Sequence, residues 1–349
     1  MHRRILARLL SRSLCGLLLS LGSCGSVEDR PRVVVYVSAD EYVARPILDR
    51  FEDETGIDVE VLYDTEATKT TGLVSRLIAE RQRPRADLFW SSECFRMIEL
   101  QEAGVLGRFP SEQVKRLNQG MPPAWCSTQD AWIALAPRAR VIVYAPDRLE
   151  AGEVPDAWEQ LVDPRWNGRL AMADPRFGTT GGHLGAMLAA WGSERYGRWL
   201  DGLVSNQVAV LTSGNAGVVE GVARGEFDLG MTDTDDVWAA RERGLGVELV
   251  YPRHQSLTAP GGGTLLIPNT VGIIRGAANP DSAHALAEWL ASAEVERLLE
   301  HSPSRNIPVR GDPGALEVPD PLQVELERAA LQRVEALEAA RRCGLLQAG

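Results

Sequence analysis

Five consecutive residues, Thr232-Asp233-Thr234-Asp235-Asp236, bring together three carboxylates and two hydroxyls. Hard oxygen donors at that density suit a hard cation. The set is not an EF-hand, because the DxDxDGxxxxxE spacing and its glycine are missing. The same residues also read as a solvated loop whose acids cap a helix beginning near Val237, Asp being a favoured N-cap. A second segment, Phe177-Gly178-Thr179-Thr180-Gly181-Gly182-His183, is a small, hydroxyl-rich turn before an apolar helix. Amides at a helix N-terminus are ready donors for an anion or a carbonyl, while close packing of helix on strand accounts for the glycines equally well. Arg138 and Arg140 carry guanidinium forks that suit carbonate, carboxylate or phosphate, or that pair with nearby acids. Catalytic signatures are missing: there is no GxSxG, no HExxH and no GxxxxGK followed by Ser or Thr. None of His183, His254, His284 and His301 neighbours a Ser or Cys in a nucleophile context. The pattern points to binding rather than turnover, with an enzyme as the contrasting class.

Those residues need strands and helices to hold them. Arg32-Val33-Val34-Val35-Tyr36-Val37 predicts a buried strand running into Ser38-Ala39-Asp40-Glu41. Residues 44–54, with Ile47, Leu48 and Phe51, predict a helix stopped by Gly56. An alternating strand over 57–63, a helix over 71–81 and a strand over 86–90 follow. This succession predicts an α/β fold with a mostly parallel sheet flanked by helices. Ligands of such sheets sit beyond the carboxyl ends of the strands, which directs attention to loops 38–42, 64–71 and 91–93. They carry Ser38, Asp40, Glu41, Glu66, Lys69, Thr70, Thr71, Ser91, Ser92 and Glu93. Residues 132–144, interrupted by Pro137, predict a strand pair running between two lobes. Further strands are expected over 208–211 and 228–231, the latter entering the Thr232 to Asp236 cluster. Gly261-Gly262-Gly263 precedes a return strand over 264–274, and residues 317–343 predict a charged amphipathic tail helix.

The chain has 349 residues, 44% of them hydrophobic and 24% charged, enough for two lobes with a large core. Its net charge of −11 argues against a nucleic-acid partner, which needs clustered Lys and Arg. The first residues supply Arg3, Arg4, Arg8 and Arg12, then an apolar run ending Leu21-Gly22-Ser23-Cys24. A basic start before a short apolar stretch predicts an export signal over 1–23, with Cys24 as a lipid anchor and 24–31 as linker. Dual acylation of Cys24 would supply the two chains that stable anchoring requires. Later apolar stretches are interrupted by charge or glycine, so no membrane helix is expected. Cys94, Cys126 and Cys343 remain, and Cys94 with Cys126 is a candidate pair in an oxidising compartment.

Assembled, residues 33 to about 310 resemble a periplasmic substrate-binding protein of a bacterial ABC importer, type II class, most of all the ferric-ion-binding group. The resemblance rests on residues 33–38, on Phe51-Glu52-Asp53-Glu54-Thr55-Gly56-Ile57 and on Ala86-Asp87-Leu88-Phe89-Trp90-Ser91-Ser92. It continues through 136–144, 158–161 and Asp163-Pro164-Arg165-Trp166-Asn167-Gly168 to Leu265-Leu266-Ile267-Pro268-Asn269-Thr270 and 302–308. It implies two lobes, 32–136 with 264–303 and 137–263 with 304–349, hinged by crossover strands around a cleft. It further implies a monomer at the cell envelope that serves a membrane permease and ATPase. Ferric members use a His after the first strand and a Tyr-Tyr pair where this chain has Asp40, and Asp235 with Asp236. The family's acid after the third strand falls at Ser92 or Glu93. The resemblance therefore implies Fe(III), with a partner anion such as carbonate, held by Asp40, Asp235 and Asp236 with Glu93 or Glu41 completing the set. Ser38, Ser91, Ser92, Arg138, Arg140, Gly178, Thr179, Thr180, Gly182, His183, Thr232 and Asp233 are the other expected contacts. A small phosphorylated or amine-bearing solute is the alternative cargo.

Overall fold

The structure, a computed structural model, describes residues 30–64, 71–255, 259–310, 314–318 and 320–346. The expected export signal, Cys24, Glu66, Lys69 and Thr70 lie outside the described residues. In chain order the elements are β1 (Arg32–Val37), α1 (Glu41–Thr55), β2 (Asp58–Tyr63), α2 (Thr71–Glu80), β3 (Leu88–Ser91), α3 (Phe95–Glu102) and α4 (Ser111–Leu117). They continue with β4 (Ile133–Tyr144), β5 (Leu170–Ala173), α5 (Gly178–Ser205), β6 (Ala209–Leu211), α6 (Gly214–Ala223), β7 (Leu229–Asp233) and α7 (Thr234–Glu242). The last are β8 (Glu248–Val250), β9 (Leu266–Ile273), α8 (Pro280–Leu290), α9 (Ala293–His301) and α10 (Leu326–Arg342). The strands pair in the order β2-β1-β3-β9-β4-β7-β5-β6, with β8 added on β4. β1 is parallel to β2 and β3, and β5 is parallel to β6 and β7, while β9 and β4 run against their neighbours.

β4 is the strand that spans both halves. Its residues from Ile133 to Ala139 pair with β9, and those from Arg140 to Tyr144 pair with β7. Pro137 does not interrupt it: the register shifts between Leu135 and Pro137, which is where a residue without an N–H is tolerated in a sheet. Alternate residues feed opposite faces, Val141 and Val143 into one apolar cluster and Ile142 and Tyr144 into another. Helices cover both faces, so strands such as β1 and β3 are almost wholly buried. α1 buries Val43, Ala44, Ile47, Leu48 and Phe51 on one face and stops at Gly56, whose φ of 70° and N–H bond to the Glu52 carbonyl form a left-handed cap.

Two elements differ from expectation. The apolar helix expected after the 177–183 turn begins within that turn, at Gly178, and runs to Ser205 across a break at Gly192, where φ is 74°. The tail helix begins at Leu326 rather than 317, because Pro321 lies in that stretch and its ring and missing N–H oppose a helix interior. α10 packs against both α5 and α3. The junction of α5 and α3 explains a glycine: a methyl on Gly182 would overlap the Phe95 ring, whereas Gly197 in the same helix faces open space. Gly182→Ala is expected to lower stability by about 1–3 kcal/mol through overpacking, and Gly197→Ala to raise it by about 0.5–1 kcal/mol. Urea unfolding of the two variants checks this, and equal effects would mean that α5 and α3 are not in tight contact. Among the described residues, no helix is long and apolar enough to cross a membrane. Cys94 and Cys126 are both free thiols, the first fully buried.

Candidate functional site

The aspartate cluster lies where β7 passes into α7. Extended geometry persists through Asp233, whose side chain makes no cap bond to α7. It is buried and accepts instead from Arg140 Nη1 at 2.8 Å, from Asn215 Nδ2 at 2.8 Å and from the Thr179 hydroxyl. Arg140 on β4 is itself wholly buried, so this network ties β4, β7, α5 and α6 together. Two residues on, in the first turn of α7, Asp235 accepts from Arg138 Nη1 at 2.5 Å, the two side chains being 10% and 11% exposed. Arg138 Nη2 reaches Asn269 Oδ1 of β9 at 3.4 Å, and Asn269 in turn donates to the Ala136 carbonyl at 2.6 Å. Burial opposes the Arg138 charge, but Asp235, with Asp233, Asp236 and Asp40 beyond it, keeps the guanidinium pKa above its ordinary value. One carboxylate oxygen each from Asp233, Asp235 and Asp236 lie within 4.8 Å of one another.

This cluster forms one wall of a cleft of about 80 Å³, open to solvent. Ser92, Glu93 and Arg138 line it together with Phe177, Gly178, Thr179 and Thr180, the 211–216 turn, and Asp233, Asp235 and Asp236. The N-termini of α5 and α6 open on it, each beginning at a glycine with positive φ, Gly178 at 58° and Gly214 at 72°. Backbone amides and the positive end of each helix thus face the same space as the carboxylates. A second cleft shares Asp235 and Asp236 and is walled by Asp40, Tyr42 and Pro303. Asp40 is the residue before α1, half-buried, and accepts from the Tyr42 hydroxyl at 3.3 Å.

The remaining expected contacts fall in different places. Glu93 lines the cleft, but its carboxylate is fully buried and caps α3, accepting from the Phe95 and Arg96 amides at 2.6 and 2.9 Å. Burial pushes its pKa up. Glu41 points to solvent and pairs with Arg45. Ser38 and Ser91 brace the strand ends, the first accepting from the Ser92 amide and the second from the Glu93 amide. Thr232 donates to the Asn215 carbonyl. Gly182 and His183 are turned away into packing, although Gly178, Thr179 and Thr180 reach the cleft. Asn215, Thr212, Ser213, Asn269 and Tyr42 are contributions that the sequence did not single out; Asn215 sits in the first turn of α6, where a small polar residue after Ser213-Gly214 was the available signal.

His183 Nε2 lies 2.8 Å from His254 Nε2, and His254 Nδ1 lies 2.8 Å from the Gly263 carbonyl. A carbonyl only accepts, so His254 carries its proton on Nδ1 and His183 donates from Nε2. Burial, with Arg140 and His254 adding to it, lowers the His183 pKa well below the ordinary imidazole range. Burial also takes His254 down to about 3, despite the Gly263 bond and with Arg140 and Arg195 helping. The unfolded rings protonate near pH ~6.5, so the stability held by the neutral pair is complete above that pH and is lost as pH falls towards the folded values. Each ring contributes up to ~1.4 kcal/mol per pH unit in that window. The acid slope of urea-unfolding stability should therefore flatten in a His183→Gln/His254→Gln variant; an unchanged slope would assign the acid sensitivity elsewhere.

Residues 33–302 match the family model for bacterial extracellular solute-binding proteins. The chain belongs to that family. Among its relatives is iron uptake protein A1 of Synechocystis sp., 25% identical over 298 residues covering 80% of this chain and 79% of the relative. The major ferric iron-binding protein of Neisseria meningitidis is 25% identical over 268 residues, 76% of this chain and 78% of that one. Iron-bound HitA from Pseudomonas aeruginosa superposes with a TM-score of 0.77 at 23% identity, over 90% of this solute-binding protein and 99% of HitA. The fold is the type II periplasmic-binding-protein α/β fold expected from the sequence.

Proposed function

We propose that this solute-binding protein captures ferric iron in the cleft and delivers it to the permease and ATPase of an ABC importer. The observation that carries the reading is the trio of carboxylate oxygens within 4.8 Å of one another on the cleft wall, two of whose residues, Asp235 and Asp236, also line the adjoining cleft walled by Asp40. Relatives named for iron uptake and ferric-iron binding support it. Asp235 and Asp236 are the donors that meet the metal, with Asp40 reaching it across the cleft. Asp233, committed to Arg140, orients the cluster. Carboxylates are hard oxygen ligands and match a hard trivalent ion, and bringing them together without a cation costs mutual repulsion that the metal relieves. The amides at the start of α5 and α6, with Thr179, Thr180 and Ser213, suit a carbonate or similar anion beside the metal.

Residues 32–136 with 264–303 act as one lobe and 137–263 with 304–349 as the other, β4 and β9 carrying the hinge. Closure brings the two sets of donors together. The protein carries its cargo without turnover, as an exported chain held at the envelope through Cys24. Native mass spectrometry of the protein as isolated tests the cargo directly. Retained iron is the expected mass; a retained phosphorylated or amine-bearing solute replaces iron with that cargo. Failure of Fe(III), with and without carbonate, to raise the unfolding temperature removes the metal reading.

A further inference from the structure

Arg138 stands where a cation would. Arg140 already balances Asp233 at 2.8 Å, and Arg138 is the guanidinium that pairs with the next carboxylate of the cluster, Asp235. That guanidinium is held by Asp235 at 2.5 Å and steadied by Asn269, next to the register shift at Pro137, and it is only 11% exposed. Asp233, Asp236 and Asp40 are the further carboxylates that act on it. A cation that takes Asp235 as a ligand must break or share this pair. Loss of the pair is a fixed cost, whereas the attraction of the carboxylates for the cargo grows in proportion to cargo charge. The fixed cost therefore weighs most on ions of low charge.

We propose that Arg138 is a selectivity gate: an internal counter-cation that shuts the aspartate cluster to divalent metals and yields to a trivalent one. The inference rests on the ferric reading above and adds the residue that sets its specificity. Arg138 acts through Asp235 and so is a positioning residue for the cargo, not a contact of it.

The test compares the full chain with Arg138→Gln and Arg138→Lys, titrating each with Mn(II), Ca(II) and Fe(III) supplied as its nitrilotriacetate complex, and reading metal retained by equilibrium dialysis and the unfolding temperature. The wild type should retain Fe(III) and decline both divalent ions. Arg138→Gln should bind Mn(II) at least about tenfold more tightly than wild type, the scale expected for freeing one partner of a close charge pair. Arg138→Lys, which keeps the charge, should still decline Mn(II). A folded Arg138→Gln that loses Fe(III) yet gains no Mn(II) would make Arg138 an anion holder and overturn the gate. So would a wild type that takes Mn(II) as tightly as Fe(III), a result that stands whether or not the variants fold. Wild-type binding of Fe(III) with no change in selectivity in either variant overturns the gate and leaves the ferric reading standing. A wild type that binds no metal overturns both.

Discussion

In the Asp235→Ala/Asp236→Ala variant, Fe(III) is expected to leave the unfolding temperature unchanged, while the unsubstituted protein is stabilised. A ligand that binds the folded state alone adds RT ln(1 + [L]/Kd), about 2.7 kcal/mol at a hundredfold excess over Kd. The double substitution removes both donors of the first turn of α7 and leaves Asp233, which Arg140, Asn215 and Thr179 already occupy. It also leaves Arg138 without Asp235, so the metal-free variant should unfold earlier than the parent, by less than the about 3–5 kcal/mol that breaking a fully buried pair from one side costs. The diagnostic quantity is therefore the shift on adding metal, not the midpoint itself. A metal-induced shift of the parental size in the variant would place the cargo on other residues.

Arg140→Met should produce the largest loss of stability of any single change at the site, about 3–5 kcal/mol. The methionine fills much of the arginine's volume but leaves Asp233 buried, at 1% exposure, with only Asn215 and Thr179 to receive its charge. Four elements depend on that carboxylate, so the loss should appear as a lower urea midpoint with the cooperativity of unfolding unchanged. The double variant Arg140→Met/Asp233→Leu separates charge from packing. With both charges gone, apolar side chains occupy the slot, and stability should recover above that of either single variant. A loss under about 1 kcal/mol for Arg140→Met, or no recovery in the double variant, would show that the pair does not hold these elements together. The Asp235 and Arg138 pair, being partly exposed, is less costly to lose.

Much of the fold follows from local pattern. The β-branched run at 32–37 and the spacing of Ile47, Leu48 and Phe51 identify β1 and α1, because alternation and the 3.6-residue period depend only on which face of an element meets the core. Composition likewise argued against a nucleic-acid partner, and the run from Thr232 to Asp236 marked a concentration of oxygen donors. What each of those acids does could not be read in the same way. Asp233 and Asp235 are two residues apart and chemically identical, yet one is committed to Arg140 and the other meets Arg138 at the cleft. Their fates diverge because a strand ends between them and a helix begins, which swings successive side chains in different directions.

The glycine-rich turn divides by depth. Gly178, Thr179 and Thr180 reach the cleft from the first turn of α5, whereas Gly182 and His183 lie one turn further along the helix, about 6 Å deeper, where they meet Phe95 and His254. Glu93 is diverted by its neighbours: its carboxylate accepts from the first amides of α3, which have no partner within the helix. The sequence by itself determined the elements, the family resemblance and the presence of concentrated oxygen donors, all of which depend on residues close together in the chain. The tertiary structure alone decided which carboxylates remain for a ligand. That depends on the pairing of β4 with β7 and β9, contacts about a hundred residues apart that place Arg138 and Arg140 against the acids.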